Sequence, residues 1–303
     1  MKNIVAWILA ISLVLTLALT MLFSENSGHS PETPSNSGET SSLSNEEKSE
    51  TSSLPDQTIE SSSASGNPNA ANTVQVDSSL AKVGNLIAVN SKNPLKQDLS
   101  GSLVKFFSRY NNCYKFSTTE LYMDSDALDA FNAMTRAFTD KTDLTDITLY
   151  STYANDLSDE AAAGMTVTLS IVRSESEIYS FYGQNDYAFF YTDGPDYGYI
   201  LRYPKEKSSV TGVEHKANIL RYVGVPHARI ITEQELALEE YLTMLEKNHP
   251  FSSPLSYTDR EGNSYLIYAV KASGSKTTIP LPECESYDIS GNNNGYFIVT
   301  AKL

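Results

Sequence analysis

Tyr197-Gly198-Tyr199-Ile200-Leu201-Arg202-Tyr203-Pro204 is the stretch on which the reading of this chain turns. Its middle, Tyr199 to Tyr203, has the aromatic and branched composition of a strand, and Pro204 closes it. Beyond it, Thr232-Glu233-Gln234-Glu235 has the spacing of a capping box, with Thr232 as cap and Glu235 at the third helical position. That predicts a helix running to about Lys247. Upstream, Asp146 to Tyr150 and Met165 to Ile171 read as strands, Glu175 to Tyr182 as a short helix, and Leu86 to Asn90 as a short strand. Asp124 to Phe138 reads as a longer helix capped by Asp124 or Ser125, with Leu128, Phe131, Met134 and Phe138 forming a core stripe. At the far end, Ser264 to Val270, Thr277 to Pro280 and Tyr296 to Ala301 are strand-like, punctuated by Gly274 and by Gly291-Asn292-Asn293-Asn294-Gly295. No fixed-period repeat is visible, so helices and antiparallel-type strands combine into an α+β body with a β-rich C-terminal extension.

Charge divides the chain into three parts. Residues 1–23 carry only Lys2, and Ile4 to Phe23 contains no charge, which is long enough for a helix to cross a hydrocarbon core. With the positive flank inside, the expectation is a single-pass anchor in the cell membrane (1–23) and an extracellular body. Phe23-Ser24-Glu25-Asn26 is a poor cleavage site, which argues against a removable signal. Residues 24–78 are rich in Ser, Thr, Glu, Asn, Pro and Gly and read as a disordered acidic stalk. Two body segments follow, 79–250 and 251–303. A formal charge of −15 repels phosphates, and no basic run offsets it, so nucleic acid is excluded as a partner. Cys113 and Cys284 cannot form a CxxC pair or a four-cysteine zinc site. In an extracellular body they are expected to bond and pin the extension to the rest.

The order of residues from Tyr197 to Leu242 resembles the VanY-type D-alanyl-D-alanine carboxypeptidases, zinc peptidases that trim peptidoglycan stems. The likeness rests on the opening stretch, Thr211-Gly212, Leu220-Arg221-Tyr222-Val223-Gly224, His227-Ala228 and Leu238-Glu239-Glu240-Tyr241-Leu242. Leu86 to Leu95 is similar to the start of that domain, and Ser151-Thr152-Tyr153 falls where the family has Ser-Gly-Tyr-Arg-Ser. Ile289-Ser290-Gly291-Asn292 and Gly295 to Thr300 are similar to a C-terminal extension found in it. The resemblance covers residues from about 84 to the end and implies a metallopeptidase-like domain with a small antiparallel sheet and flanking helices.

A catalytic zinc needs three protein ligands, an open position for water, and a carboxylate to move that water's proton. The family supplies these as a His with an Asp seven residues later, then a Glu with a His three residues later. Aligned on Gly164, the first pair here is Ala161 and Thr168. Between Thr211-Gly212 and Leu220-Arg221 the second pair is Lys216 and Ile219, and the Arg expected after Tyr153 is Ala154. Ala and Ile have no donor atom, Thr is a poor zinc ligand, and Lys is cationic. The implied reading is a pseudoenzyme without a resident cofactor, although zinc is expected in active relatives. It would bind peptidoglycan stem peptides or wall-associated proteins. Lys216, Glu214, His215 and Tyr153 are the candidate ligand-binding residues, with the Lys216 ammonium offsetting a peptide carboxylate. The alternative is an active carboxypeptidase with displaced ligands, needing His215 or His227 to converge with carboxylates. Ser151 and Ser170 have no convincing His partner, and neither a nucleophile elbow nor a phosphate loop is present. The tyrosines between Tyr179 and Tyr203 read as packing on half-buried sheet faces, with rings at a cleft mouth that stack on sugars or bind peptides as the alternative.

Overall fold

The structure is a computed structural model and describes residues 70–303. The predicted anchor and nearly all of the predicted stalk lie outside the described residues. Among the described residues no helix is long and apolar enough to cross a membrane.

Strand β1 (Asn72–Asp77) comes first, and then two short strands, β2 (Val104–Lys105) and β4 (Tyr122–Met123), pair with each other on either side of β3 (Lys115–Phe116). The long helix α1 (Ser125–Thr142) starts where the sequence places it. The Asp124 carboxylate accepts from the amides of Asp126 and Ala127 at 3.0 and 3.1 Å, satisfying donors that the first turn leaves without partners. Leu128, Phe131, Met134 and Phe138 are fully buried, as the stripe predicts.

They pack on a central sheet ordered β3, β5 (Ile147–Ser151), β6 (Thr166–Ser174), β9 (Lys216–Tyr222), β8 (Tyr199–Tyr203). Only the β3–β5 pair is parallel. Strand β7 (Glu177–Ser180) folds back on β6, and short helices α2 (Phe189–Thr192) and α3 (Ser208–Thr211) fill the connections. Val167, Leu169 and Leu220 face the α1 side and are buried. Helices α4 (His227–Glu233) and α5 (Leu238–Asn248) build a second core with Ile200, Ile267 and Ile298. The last two of these come from the second sheet, ordered β10 (Leu255–Thr258), β11 (Ser264–Lys271), β14 (Tyr296–Lys302), β13 (Ser286–Gly291). Position 250 therefore marks a change from helix to strand and not a gap in packing.

Several sequence expectations are corrected. Residues 72–77, assigned to the stalk, are β1, which pairs along its whole length with β12 (Lys276–Leu281). A segment of modest apolarity is held here by a strand some two hundred positions away. Glu175 to Tyr182 is not a helix, because Ile178 and Tyr179 favour a pleated strand and β6 supplies its partner. The helix expected from Thr232 to Lys247 is two helices, broken at Glu235, whose φ is 52°. Glu240, not Glu235, caps the second one by accepting from the Ala237 amide at 2.8 Å. Leu86 to Asn90 forms no strand: buried side chains of Ser290, Glu160 and Arg221 take the Leu86 and Val89 amides and the Ile87 carbonyl, and Asn90 makes only an isolated bridge to Asn93. Cys113 and Cys284 are both free, so the expected disulfide is absent. The first packs in the α1 core, whereas the second lies between β12 and β13, outside that core.

Candidate functional site

Side chains alternate along β6, so Thr166, Thr168 and Ser170 point away from the α1 core that takes Val167, Leu169 and Ile171. On that face Thr168 pairs directly with Ile219 of β9 and, across a bulge, with Ser151 of β5. Directly opposed antiparallel residues have α-carbons about 4.5–5.5 Å apart. Two of the three residues aligned with zinc-ligand positions are therefore immediate neighbours. Ala161 sits in a single 3-10 turn, Glu160–Ala163, just before β6. Asp159 caps that turn, and Gly164 ends it at a φ of 68°. The left-handed backbone favours glycine here, and a Cβ at Gly164 would also make the Leu103 side chain move, since it would lie 2.4 Å from a Leu103 methyl.

Together Ala161, Thr168 and Ile219 offer one hydroxyl and two hydrocarbon groups, which is not a zinc donor set. The residues present do not fit the metal that the fold implies. Among the described residues no three His, Cys, Asp or Glu side chains gather into a group able to hold a metal ion. Glu214, His215 and Lys216 are consecutive and exposed at the start of β9. The His215 Nδ1 donates to the Tyr203 carbonyl at 2.7 Å, and Lys216 lies opposite Tyr203. Tyr153 is half-buried just after β5, where the neighbouring Thr152 hydroxyl donates to the Tyr122 carbonyl at 2.7 Å. His227 is remote in role from these. It is buried on α4 between the hydroxyls of Tyr241 and Thr300, at 2.7 and 2.9 Å from its two ring nitrogens. Burial pushes its pKa down to about 3, so the ring is neutral with both nitrogens engaged.

Sequence reasoning missed the buried ion network beside this face. Glu160, adjacent to Ala161, sends one carboxylate oxygen to the Val89 amide and the Arg202 guanidinium, each at 3.2 Å. Its other oxygen lies 3.0 Å from Nε of Arg221. Arg202 also holds Glu239 through contacts of 2.7 and 3.1 Å, and Arg221 donates to the carbonyls of Asn85 and Ile87 at 3.1 and 2.8 Å. Both arginine side chains are fully buried. Burial works against the charge on Arg202, but Glu160 and Glu239 outweigh it and raise its pKa. For Arg221, burial outweighs the single carboxylate of Glu160 and the pKa falls. The available signal was an arginine set between a leucine and a tyrosine in each of two segments, Leu201-Arg202-Tyr203 and Leu220-Arg221-Tyr222. The network fixes the turn carrying Ala161 to strands β8 and β9 and to the segment at 85–89.

No family model matches the chain. A D-alanyl-D-alanine carboxypeptidase of Enterococcus faecium is 28% identical over 234 residues, covering 72% of this chain and 75% of that protein. The bifunctional D-Ala-D-Ala dipeptidase and carboxypeptidase VanXYC of Enterococcus gallinarum is 50% identical over 46 residues, or 15% of this chain and 24% of that protein. Among solved structures, the vancomycin-resistance D,D-dipeptidase VanXYg, in complex with a D-Ala-D-Ala phosphinate analogue, superposes with a TM-score of 0.66 at 25% identity. That match covers 77% of this chain and 99% of VanXYg. Homologues and structural neighbours of this chain are VanY/VanX-type D-Ala-D-Ala carboxypeptidases.

Proposed function

We propose that this D-Ala-D-Ala carboxypeptidase-like protein is a non-catalytic member of that fold, which keeps the cleft framework and uses it to bind a peptidoglycan stem peptide or a wall-associated partner. The observation that carries the reading is the direct pairing of Thr168 with Ile219. In this reading Ala161, Thr168 and Ile219 replace the three zinc ligands and Lys216 replaces the general base. An ammonium at the base position adds repulsion where a metal site needs attraction, and it cannot accept a proton from water. The surrounding network supports retention of the framework, because three fully buried charges, Glu160, Arg202 and Arg221, are held in register with the half-buried Glu239. The alternative of displaced ligands gains no support from His227, whose two nitrogens serve Tyr241 and Thr300.

Residues 4–23 would anchor the protein in the cell membrane with its body outside, where stem peptides are found. Cell fractionation with external protease treatment tests that placement. The binding reading is tested by titrating muropeptides with a free C-terminal carboxylate into the purified body. Weak saturable binding that is further weakened by Lys216→Ala is expected. Identical curves for wild type and variant would remove Lys216 from the site, and absence of binding to the wild type would leave only the protein-partner form of the proposal.

A further inference from the structure

The run Ser290-Gly291-Asn292-Asn293-Asn294-Gly295, from the end of β13 through the turn to β14, is the latch that ties the C-terminal sheet to the segment at 81–96. The Gly291 amide donates to the Val83 carbonyl at 2.8 Å, and a Cβ on Gly291 would lie 2.4 Å from the Ala81 backbone. The Ser290 hydroxyl accepts from the Leu86 amide at 2.9 Å. Asn293 is fully buried, and its side chain donates to the Pro94 carbonyl at 3.0 Å while Lys96 donates to its own carbonyl. Glu246 on α5 closes the latch by accepting from the Asn292 side chain at 2.6 Å and from the Asn294 side chain at 3.2 and 3.4 Å.

We infer that Asn294–Gly295 is a self-modification site, at which spontaneous deamidation converts the latch from bonded to repelled. Three features select this asparagine over its neighbours. Asn294 and Gly295 are exposed, whereas Asn292 and Asn293 are buried. Asn294 alone precedes a glycine, whose missing side chain leaves the following amide nitrogen unhindered. That amide has no hydrogen-bond acceptor among the described residues, so the only contact the reaction must break is the long one between the Asn294 side chain and Glu246.

In the first step the Gly295 nitrogen attacks Cγ of Asn294. A new C–N bond closes a succinimide, the Cγ–Nδ2 bond breaks, and ammonia leaves with the proton from the Gly295 amide. One water then opens either carbonyl of the ring, giving aspartate or isoaspartate. No oxidant or cofactor is needed. Aspartate puts a carboxylate where the Asn294 amide donated to Glu246, and isoaspartate removes that donor and leaves a carboxylate on the α-carbon beside it, so a donor–acceptor contact gives way to two anions. Isoaspartate also inserts an extra backbone carbon between the Asn294 α-carbon and Gly295.

The test is to incubate the purified full-length protein at mildly alkaline pH and map isoaspartate by peptide mass spectrometry, with a synthetic loop peptide as a reference. The expected result is isoaspartate at Asn294 many-fold above that at Asn292 or Asn293. A loop peptide that converts while the folded protein does not would overturn the inference, as would conversion centred on Asn292 or Asn293. The consequence is tested separately with Asn294→Asp, which should speed amide hydrogen exchange across residues 81–96. Adding Glu246→Gln to that variant should slow it again. Unchanged exchange in Asn294→Asp would remove the latch function from the account.

Discussion

Replacing Glu160 with Gln is the sharpest perturbation of the framework around the site. The change keeps shape and a carbonyl that can still accept from Val89, but it removes the charge that two fully buried arginines share. Arg202 retains Glu239 through two contacts. Arg221 retains only the neutral carbonyls of Asn85 and Ile87, and burial already lowers its pKa with Glu160 in place. Breaking a buried pair by deleting one partner costs about 3–5 kcal/mol because an uncompensated charge stays behind. The same change at Glu239, whose side chain is 16% exposed and whose partner Arg202 keeps Glu160, should cost about 1.5–3 kcal/mol, the value of a charged hydrogen bond. Urea unfolding of both variants measures these losses as shifts in midpoint at unchanged slope. A Glu160→Gln loss below about 1 kcal/mol, or a Glu239→Gln loss exceeding it, would refute the reasoning that Arg221 depends on Glu160 alone.

Two further outcomes follow from the same geometry. His227 is neutral in the folded protein down to about pH 3, while the unfolded chain takes up its proton near 6.5. In that window the unfolded state binds more protons, so stability rises with pH and falls on acidification, by up to about 1.4 kcal/mol per pH unit from this group. His227→Gln should flatten the difference between pH 6 and pH 4, which paired unfolding curves would read against wild type at about those two values. The triple replacement Ala161→His, Thr168→Asp, Ile219→His should create a zinc site measurable by calorimetry, because Thr168 and Ile219 already face each other. Failure of a folded triple variant to bind zinc would show that the alignment of these positions is out of register.

The elements that were legible in the sequence are those whose own residues carry the pattern. Asp124 and the apolar positions of α1 announce a capped amphipathic helix, and Tyr199 to Tyr203 announces β8. The elements that were not legible depend on partners far along the chain. Strand β1 exists because β12 pairs with it, and β7 exists because β6 turns back on it. Strand β9 begins Lys216-Ala217-Asn218, a composition with no strand signal, and no strand was expected there. At the site, Thr168 and Ile219 were brought into the account by alignment, and their pairing is what the fold adds. Glu160 went unnoticed although it adjoins Ala161, because its role depends on Arg202 and Arg221 arriving from two other strands.

Release of D-alanine from a pentapeptide stem, measured with zinc supplied in excess and then with a chelator, tests the central claim most directly. The account predicts no release above the uncatalysed background in either condition, since no residue at 161, 168 or 219 can hold the metal and Lys216 cannot serve as the base. Zinc-dependent, chelator-sensitive release by the purified wild-type protein would contradict it.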